Sequence, residues 1–118
     1  MTTSHLILAI MLVESNANID AVGDNGTAHG CFQLTKAYIQ DAAEHAKENW
    51  SVDDAYSYEK SRMIFTSYMH RYATPERLGR AVTPQDIARI HNGGPNGWKK
   101  ESTEKYWEKV KDILEYEE

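Results

Sequence analysis

The sequence predicts a mainly α-helical fold. Apolar residues recur at helical spacing, Ser and Thr start signals stand ahead of such runs, and strand signals are nearly absent. Ser4 reads as an N-cap, and residues 4–16 read as a buried helix. Residues 17–32 hold a cluster of Gly, Asp and Asn and read as an irregular loop, with room for a short hairpin. Thr35 caps a helix near 35–48, with Ala37, Tyr38, Ala42 and Ala46 on one stripe. A long helix starts at Ser51 or Asp53 and runs to about Tyr72, with the stripe Tyr56, Met63, Ile64, Ser67, Tyr68 and Arg71. Pro75 opens a short turn or helix near 75–80. Thr83-Pro84 is an N-cap followed by proline at the first helical position, and that helix runs to about His91. "NGGPNG", Asn92 to Gly97, ends it. Ser102 caps a last helix to about Tyr116.

The 118 residues suffice for one domain, 1–118, without repeats, linkers or low-complexity tracts. A hydrophobic content of 41% with 10% aromatic residues argues against disorder. The net charge of -5 speaks against a nucleic-acid partner, whose phosphates call for a basic surface. The single cysteine, Cys31, excludes an internal disulfide framework, so packing alone must hold the fold. "HLILAIMLV", His5 to Val13, has the look of a signal-peptide core. No Lys or Arg precedes it, however, and no small-residue cleavage site follows. It also falls well short of the roughly 20 apolar residues of a membrane span. The expectation is a protein made in the cytoplasm without a signal peptide and without membrane insertion, which stays inside or leaves by a route the sequence does not encode.

The chemistry centres on Glu14, which ends the apolar run and directly precedes the glycine loop. A carboxyl half-buried there loses hydration in its charged form and so tends to keep its proton, as a general acid must. Taken alone, a Glu in a last helical turn reads as a residue facing water. "VGDNGTAHG" adds Gly23, Gly26 and Gly30, which let a large ligand approach the backbone, and Gln33 follows with an amide that both donates and accepts. "IHNGGPNGW" supplies a second glycine loop with Asn92 and Trp98. Each loop alone reads as an ordinary turn. Together, amides and aromatics near one carboxyl suit a neutral ligand rich in hydroxyls and amides, such as a carbohydrate.

These residues resemble the lysozyme-like superfamily, in particular soluble lytic transglycosylases and goose-type lysozymes. The family pattern Glu-Ser, a loop, then Gly-x-x-Gln is matched by Glu14-Ser15 and Gly30-Cys31-Phe32-Gln33. The pattern Ala-Tyr-Asn-x-Gly is matched by Ile90-His91-Asn92-Gly93-Gly94, and Thr-x-x-Tyr-x-x-x-Val by Thr103, Tyr106 and Val110. The resemblance implies a small two-lobed helical domain with a cleft between the lobes. It implies cleavage of peptidoglycan glycan strands at the β-1,4 bond from N-acetylmuramic acid to N-acetylglucosamine. Glu14 is then the general acid. Gln33 and Asn92 contact sugar and acetamido groups, and Tyr106 holds the Glu14 carboxyl. Ser15 follows the acid as a candidate contact or simply as a helix-end residue. His91 stands where the family has Tyr and remains a candidate to line the cleft, its titration near neutral pH bearing on activity. Cys31 and Phe32 replace Leu-Met and read as packing, with Cys31 a small buried hydrophobe rather than a nucleophile.

Two products are open. An inverting hydrolase needs a second carboxylate about 6.5–9.5 Å from the acid to activate water. A lytic transglycosylase uses the muramoyl C6 hydroxyl instead and leaves a 1,6-anhydro end. Asp24 lines up with an aspartate of the goose-type loop proposed to activate water, while a second such aspartate is Thr35 here. Asp24 otherwise reads as a turn residue whose side chain bonds its own backbone. Hydrolysis is the preferred expectation, with Glu14 and Asp24 as the catalytic pair.

No metal site and no cofactor are expected. The five histidines lack ligand spacing, and "DNG" lacks the acidic ladder of a calcium loop. A non-catalytic peptidoglycan-binding or structural module is the alternative from another class, and a helix-bundle regulator leaves the glycine loops unexplained. A monomer is expected. The setting resembles that of phage endolysins released by a holin, and equally that of a virion or secretion-system enzyme, acting on the cell wall.

Overall fold

The computed structural model describes residues 3–117. Its helices are α1 (Thr3–Ser15), α2 (Lys36–Ala46), α3 (Tyr58–Tyr72), α4 (Pro75–Leu78), α5 (Pro84–Gly93) and α6 (Glu104–Glu117). Strands β1 (Val22–Gly23) and β2 (Ala28–His29) pair antiparallel, Val22 opposite His29, around a short 3-10 turn at Asp24–Gly26. The mainly α class and the short hairpin after the first helix are both as expected. No helix among the described residues is long and apolar enough to cross a membrane.

The chain folds as two compact units. One comprises the segment up to Ile10 together with residues from Tyr72 onward; the other is Met11–Arg71. In the second unit Phe32, Leu34, Ile39 and Ile64 are fully buried, each contributing about 1.5–3 kcal/mol by leaving water. Phe32 stacks on Phe65 with ring centroids 5.2 Å apart, and Tyr38 lies parallel to Tyr68 at 3.7 Å. In the first unit α5 packs on α6, and Ile90, Val110 and Leu114 are buried.

Several local readings are corrected. Ser4 lies inside α1, exposed, because Thr3 is already helical, so it is not the cap. Thr35 does cap α2, accepting the Tyr38 N–H. The buried stripe, however, is Tyr38, Ile39, Ala42 and Ala43, whereas Ala37 and Ala46 are exposed. The long helix from Ser51 is broken. A 3-10 turn at Val52–Tyr56 ends at Ser57, whose extended backbone (φ -103°, ψ 128°) cannot continue it. The Ser57 hydroxyl then accepts the Lys60 N–H and caps α3. In α3 Met63 is 41% exposed, while Phe65 and Met69 join Ile64 and Tyr68 inside. Ser102 sits in a 3-10 turn at Glu101–Thr103, and the residue that precedes α6 is Thr103.

Thr83 and Asp86 form a capping box at α5, and Arg80 grips the same carboxylate with two bonds of 2.7 and 2.8 Å. Burial pushes the Asp86 carboxyl up, but the Arg80 bonds and the Thr83 N–H and hydroxyl outweigh it and hold the carboxyl below its ordinary range. Past α5, Gly97 is required by close approach: a Cβ there would stand 2.0 Å from the Arg89 carbonyl oxygen.

Candidate functional site

Four of the candidate residues, Glu14, Ser15, Asp24 and Gln33, belong to the Met11–Arg71 unit. Glu14 is half-buried in the last turn of α1. Its carboxylate is felt by Tyr38: burial first, then Tyr68, then Glu14 push the Tyr38 hydroxyl well above the usual phenol range. Thus Glu14, Tyr38 and Tyr68 share one electrostatic neighbourhood, drawn from α1, α2 and α3.

The chain reverses directly after the acid. Asn16 and Ala17 take left-handed φ of 58° and 62°, and the Asn16 and Ala17 amides bond back to Leu12 and Met11. Ser15 fastens the helix end to the next loop, its hydroxyl donating to the Cys31 carbonyl at 2.8 Å and accepting the Asn18 N–H. Ser15 is thereby a helix-end residue, one of the two roles the sequence allowed. The loop itself closes on Gly30. With φ of 77° and the Ala55 carbonyl 1.9 Å from where a Cβ would stand, only glycine fits. The sequence assigned Gly23, Gly26 and Gly30 to ligand approach; at Gly30 it is the chain's own backbone that comes close, at Gly23 it is the Gln33 side chain, and Gly26 faces open space.

Gln33 has φ of 53°, and its Nε2 donates to the Gly30 and Ala21 carbonyls at 3.0 and 3.3 Å. Its amide donors therefore brace the neck of the hairpin. Asp24 stands at the hairpin tip, exposed, with φ of 50°. The backbone oxygen of Asp24 receives the Thr27 amide and hydroxyl. The turn reading expected its carboxylate to bond its own backbone, and no such bond is present among the described residues. At the other end of the ribbon His29 Nδ1 meets the Tyr56 hydroxyl at 2.7 Å. Cys31 is 1% exposed, and burial pushes its thiol up, which disfavours a nucleophilic thiolate.

The other unit carries His91, Asn92 and Tyr106. His91 is 7% exposed on α5, Asn92 is exposed one residue before α5 ends at Gly93, and Tyr106 is half-buried on α6. The loop after α5 is pinned by Arg77, which donates to the Pro95 carbonyl and to Asn96 Oδ1 at 2.8 and 3.0 Å. Thr103, part of the third motif, proves to be a buried knot. Its oxygen accepts Arg89 Nε at 2.8 Å and lies 2.7 Å from the Gly97 carbonyl.

Sequence reasoning missed the Tyr38–Tyr68 stack, the His29–Tyr56 pair and the buried Arg89. Tyr38 and Tyr68 were both on predicted stripes, but nothing in the sequence pairs positions 30 residues apart.

A mainly helical chain with an acid at the end of its first helix and a short hairpin after it is a member of the lysozyme-like superfamily. More closely, the chain belongs to the Destabilase family, whose model matches residues 3–113. It is 38% identical over 84 residues to a lysozyme of Meretrix lusoria, covering 71% of this chain and 66% of that one. It is 35% identical over 86 residues to lysozyme 1 of Crassostrea virginica, covering 73% and 45%. The matches thus span two thirds or less of those relatives' own length. Among solved structures it is similar to the inhibitor-bound lysozyme from Meretrix lusoria, with a TM-score of 0.79 and 30% identity over 95% of this chain and 90% of that one.

Proposed function

We propose that the chain is a muramidase that cleaves the β-1,4 bond between N-acetylmuramic acid and N-acetylglucosamine in peptidoglycan, with Glu14 as general acid. The observation that carries this reading is a half-buried Glu14 at the end of α1, next to a strained, internally braced segment, in a chain of a family whose relatives are named lysozymes. Residues held in sparsely populated backbone conformations cluster where geometry must be kept for function. In the reaction the Glu14 carboxyl gives its proton to the glycosidic oxygen as the bond from C1 breaks. The Asp24 carboxylate takes a proton from the water that attacks C1, so a reducing end and a free 4-hydroxyl result. Gln33, Ser15, His91, Asn92 and Tyr106 are the side chains proposed to contact or orient the glycan.

The test is mass spectrometry of muropeptides released from purified walls by the wild type and by Glu14→Gln. Reducing-end products from the wild type, falling by about 10²–10⁴-fold in Glu14→Gln, are expected. Anhydro ends replace the hydrolytic reading with a transglycosylase. Release unaffected by Glu14→Gln removes Glu14 from its role, and an unchanged rate in Asp24→Asn removes Asp24.

A further inference from the structure

The Met11–Arg71 unit carries a groove of about 890 Å³ between the end of α2 and α3. It is large enough for a small ligand, since such sites span roughly 300–1,000 Å³. Its walls are Trp50, Tyr58 and Met63. Tyr58 is 44% exposed and Met63 41%, so two of the large apolar side chains left in water on this molecule share one surface. Scattered singly they would need no explanation; gathered in a concave site they do. The groove is not part of the Glu14 neighbourhood. Ser61, Ile64, Phe65 and Tyr68 turn one face of α3 inward, and Tyr68 is the residue that stacks on Tyr38. Glu59, Arg62, Met63 and Thr66 line the groove from the opposite face, as a step of 100° per residue requires.

The rim decides the ligand. Glu48, Glu59 and Arg62 sum to a single net negative charge, too little to draw a strong cation and of the wrong sign for a polyanion. The side chains of Glu48, Glu59, His45 and His70 make no hydrogen bond or ion pair among the described residues, and Arg62 makes one, to the Tyr58 hydroxyl at 3.2 Å. Planar donors and acceptors thus share the lining with two aromatic side chains. Carboxylates accept from hydroxyls, guanidinium and imidazole donate to an amide oxygen, and aromatic faces cover the apolar face of a pyranose ring.

We propose that this groove is a second glycan site, which seats an N-acetylated sugar unit against Tyr58 and Trp50 away from the reacting bond. The identity of the polymer rests on the muramidase reading above. A second hold on the same strand raises the effective concentration of substrate on an insoluble wall without changing the chemistry.

The experiment uses the full chain as Glu14→Gln, labelled with nitrogen-15 and titrated with the soluble tetramer of N-acetylglucosamine. Shifts at the Trp50 indole N–H and at Tyr58, separate from those around Glu14 and Gln33, are expected. Tyr58→Ala and Arg62→Ala, both at exposed or half-exposed positions, should weaken retention on insoluble peptidoglycan by about tenfold. Trp50→Phe, which keeps a ring, should retain most of it. Cleavage of a soluble oligosaccharide by Tyr58→Ala in the wild-type background should stay at the wild-type rate. Shifts confined to the Glu14 side overturn the second site and leave the muramidase reading intact. Shifts at the groove in a protein that releases no muropeptide uphold the site and overturn the muramidase. Concentration-dependent self-association that Tyr58→Ala abolishes overturns the glycan site and assigns the groove to a second copy of the chain.

Discussion

Residues 16–33 and the α5–α6 corner are both tied down by side chains bonded to backbone, but the backbone they hold differs. Within 16–33, Asn16, Ala17, Asp24, Asn25 and Gln33 all take positive φ without being glycine. From Thr83 to Glu117 the positive φ belongs to Gly94 alone among the described residues, and a capping box and a buried Arg89 secure ordinary helices. The first region spends side chains on keeping an unfavourable path; the second spends them on satisfying helix ends and loop carbonyls. The strained path is the one adjoining Glu14, which is what a region that must hold a shape, rather than merely be stable, would look like.

The largest break in this comparison should come from Arg89→Met. It strips the donor from the Thr103 hydroxyl and the Lys100 carbonyl, and a loss of about 2–3 kcal/mol is expected in denaturant unfolding. Hydrogen exchange should speed in α5 and α6 and stay unchanged in the hairpin; equal loss in both regions would erase the distinction. Gln33→Met removes both amide donors from the hairpin neck, and about 1–2 kcal/mol should be lost. Muropeptide release should fall more steeply than the folded fraction does, because the loop loses its shape before the unit unfolds. A release rate that merely tracks the folded fraction would make Gln33 ordinary.

Asp86→Asn tests the corner by pH. A carboxyl held below its unfolded value lends stability that is full above that value, about 3.9, and is lost as pH falls through the folded one. The wild type should therefore exceed Asp86→Asn by about 1 kcal/mol near neutrality, the size of a cap with a half-exposed Arg80 partner. The gap in thermal midpoints should shrink only below about pH 4. A gap independent of pH would show that the box owes nothing to charge. The smallest effect has the opposite sign. Ala17→Gly relieves a left-handed alanine at φ of 62° and should stabilise by about 0.5–1 kcal/mol in the same unfolding measurement. No gain would mean that the turn after Glu14 is not strained.

Helix positions were legible because their signals are local. Thr35, Thr83-Pro84 and Gly94 act within one turn of chain, and the structure uses all of them. The errors lie where a local signal competed with a neighbour. Ser51 looked like the start of one long helix, but Ser57 offered a second cap and the chain took both. Glu14 at a helix end and the loop behind it were also readable. The partners of Ser15 and Gln33 were not, since the carbonyls of Cys31, Gly30 and Ala21 carry no side-chain signature.

By itself the sequence determined the helical class, the caps at Thr35 and Thr83 and the position of the acid, because spacing, caps and turn residues act over a few residues. Tertiary structure alone decided that Tyr38 and Tyr68 stack, that Gly30 makes room for Ala55, that Arg89 and Thr103 share a knot, and that Trp50, Tyr58 and Met63 line one groove. Each of these joins residues distant in the chain, and the free energy of such a contact exists only once folding has brought the two segments together.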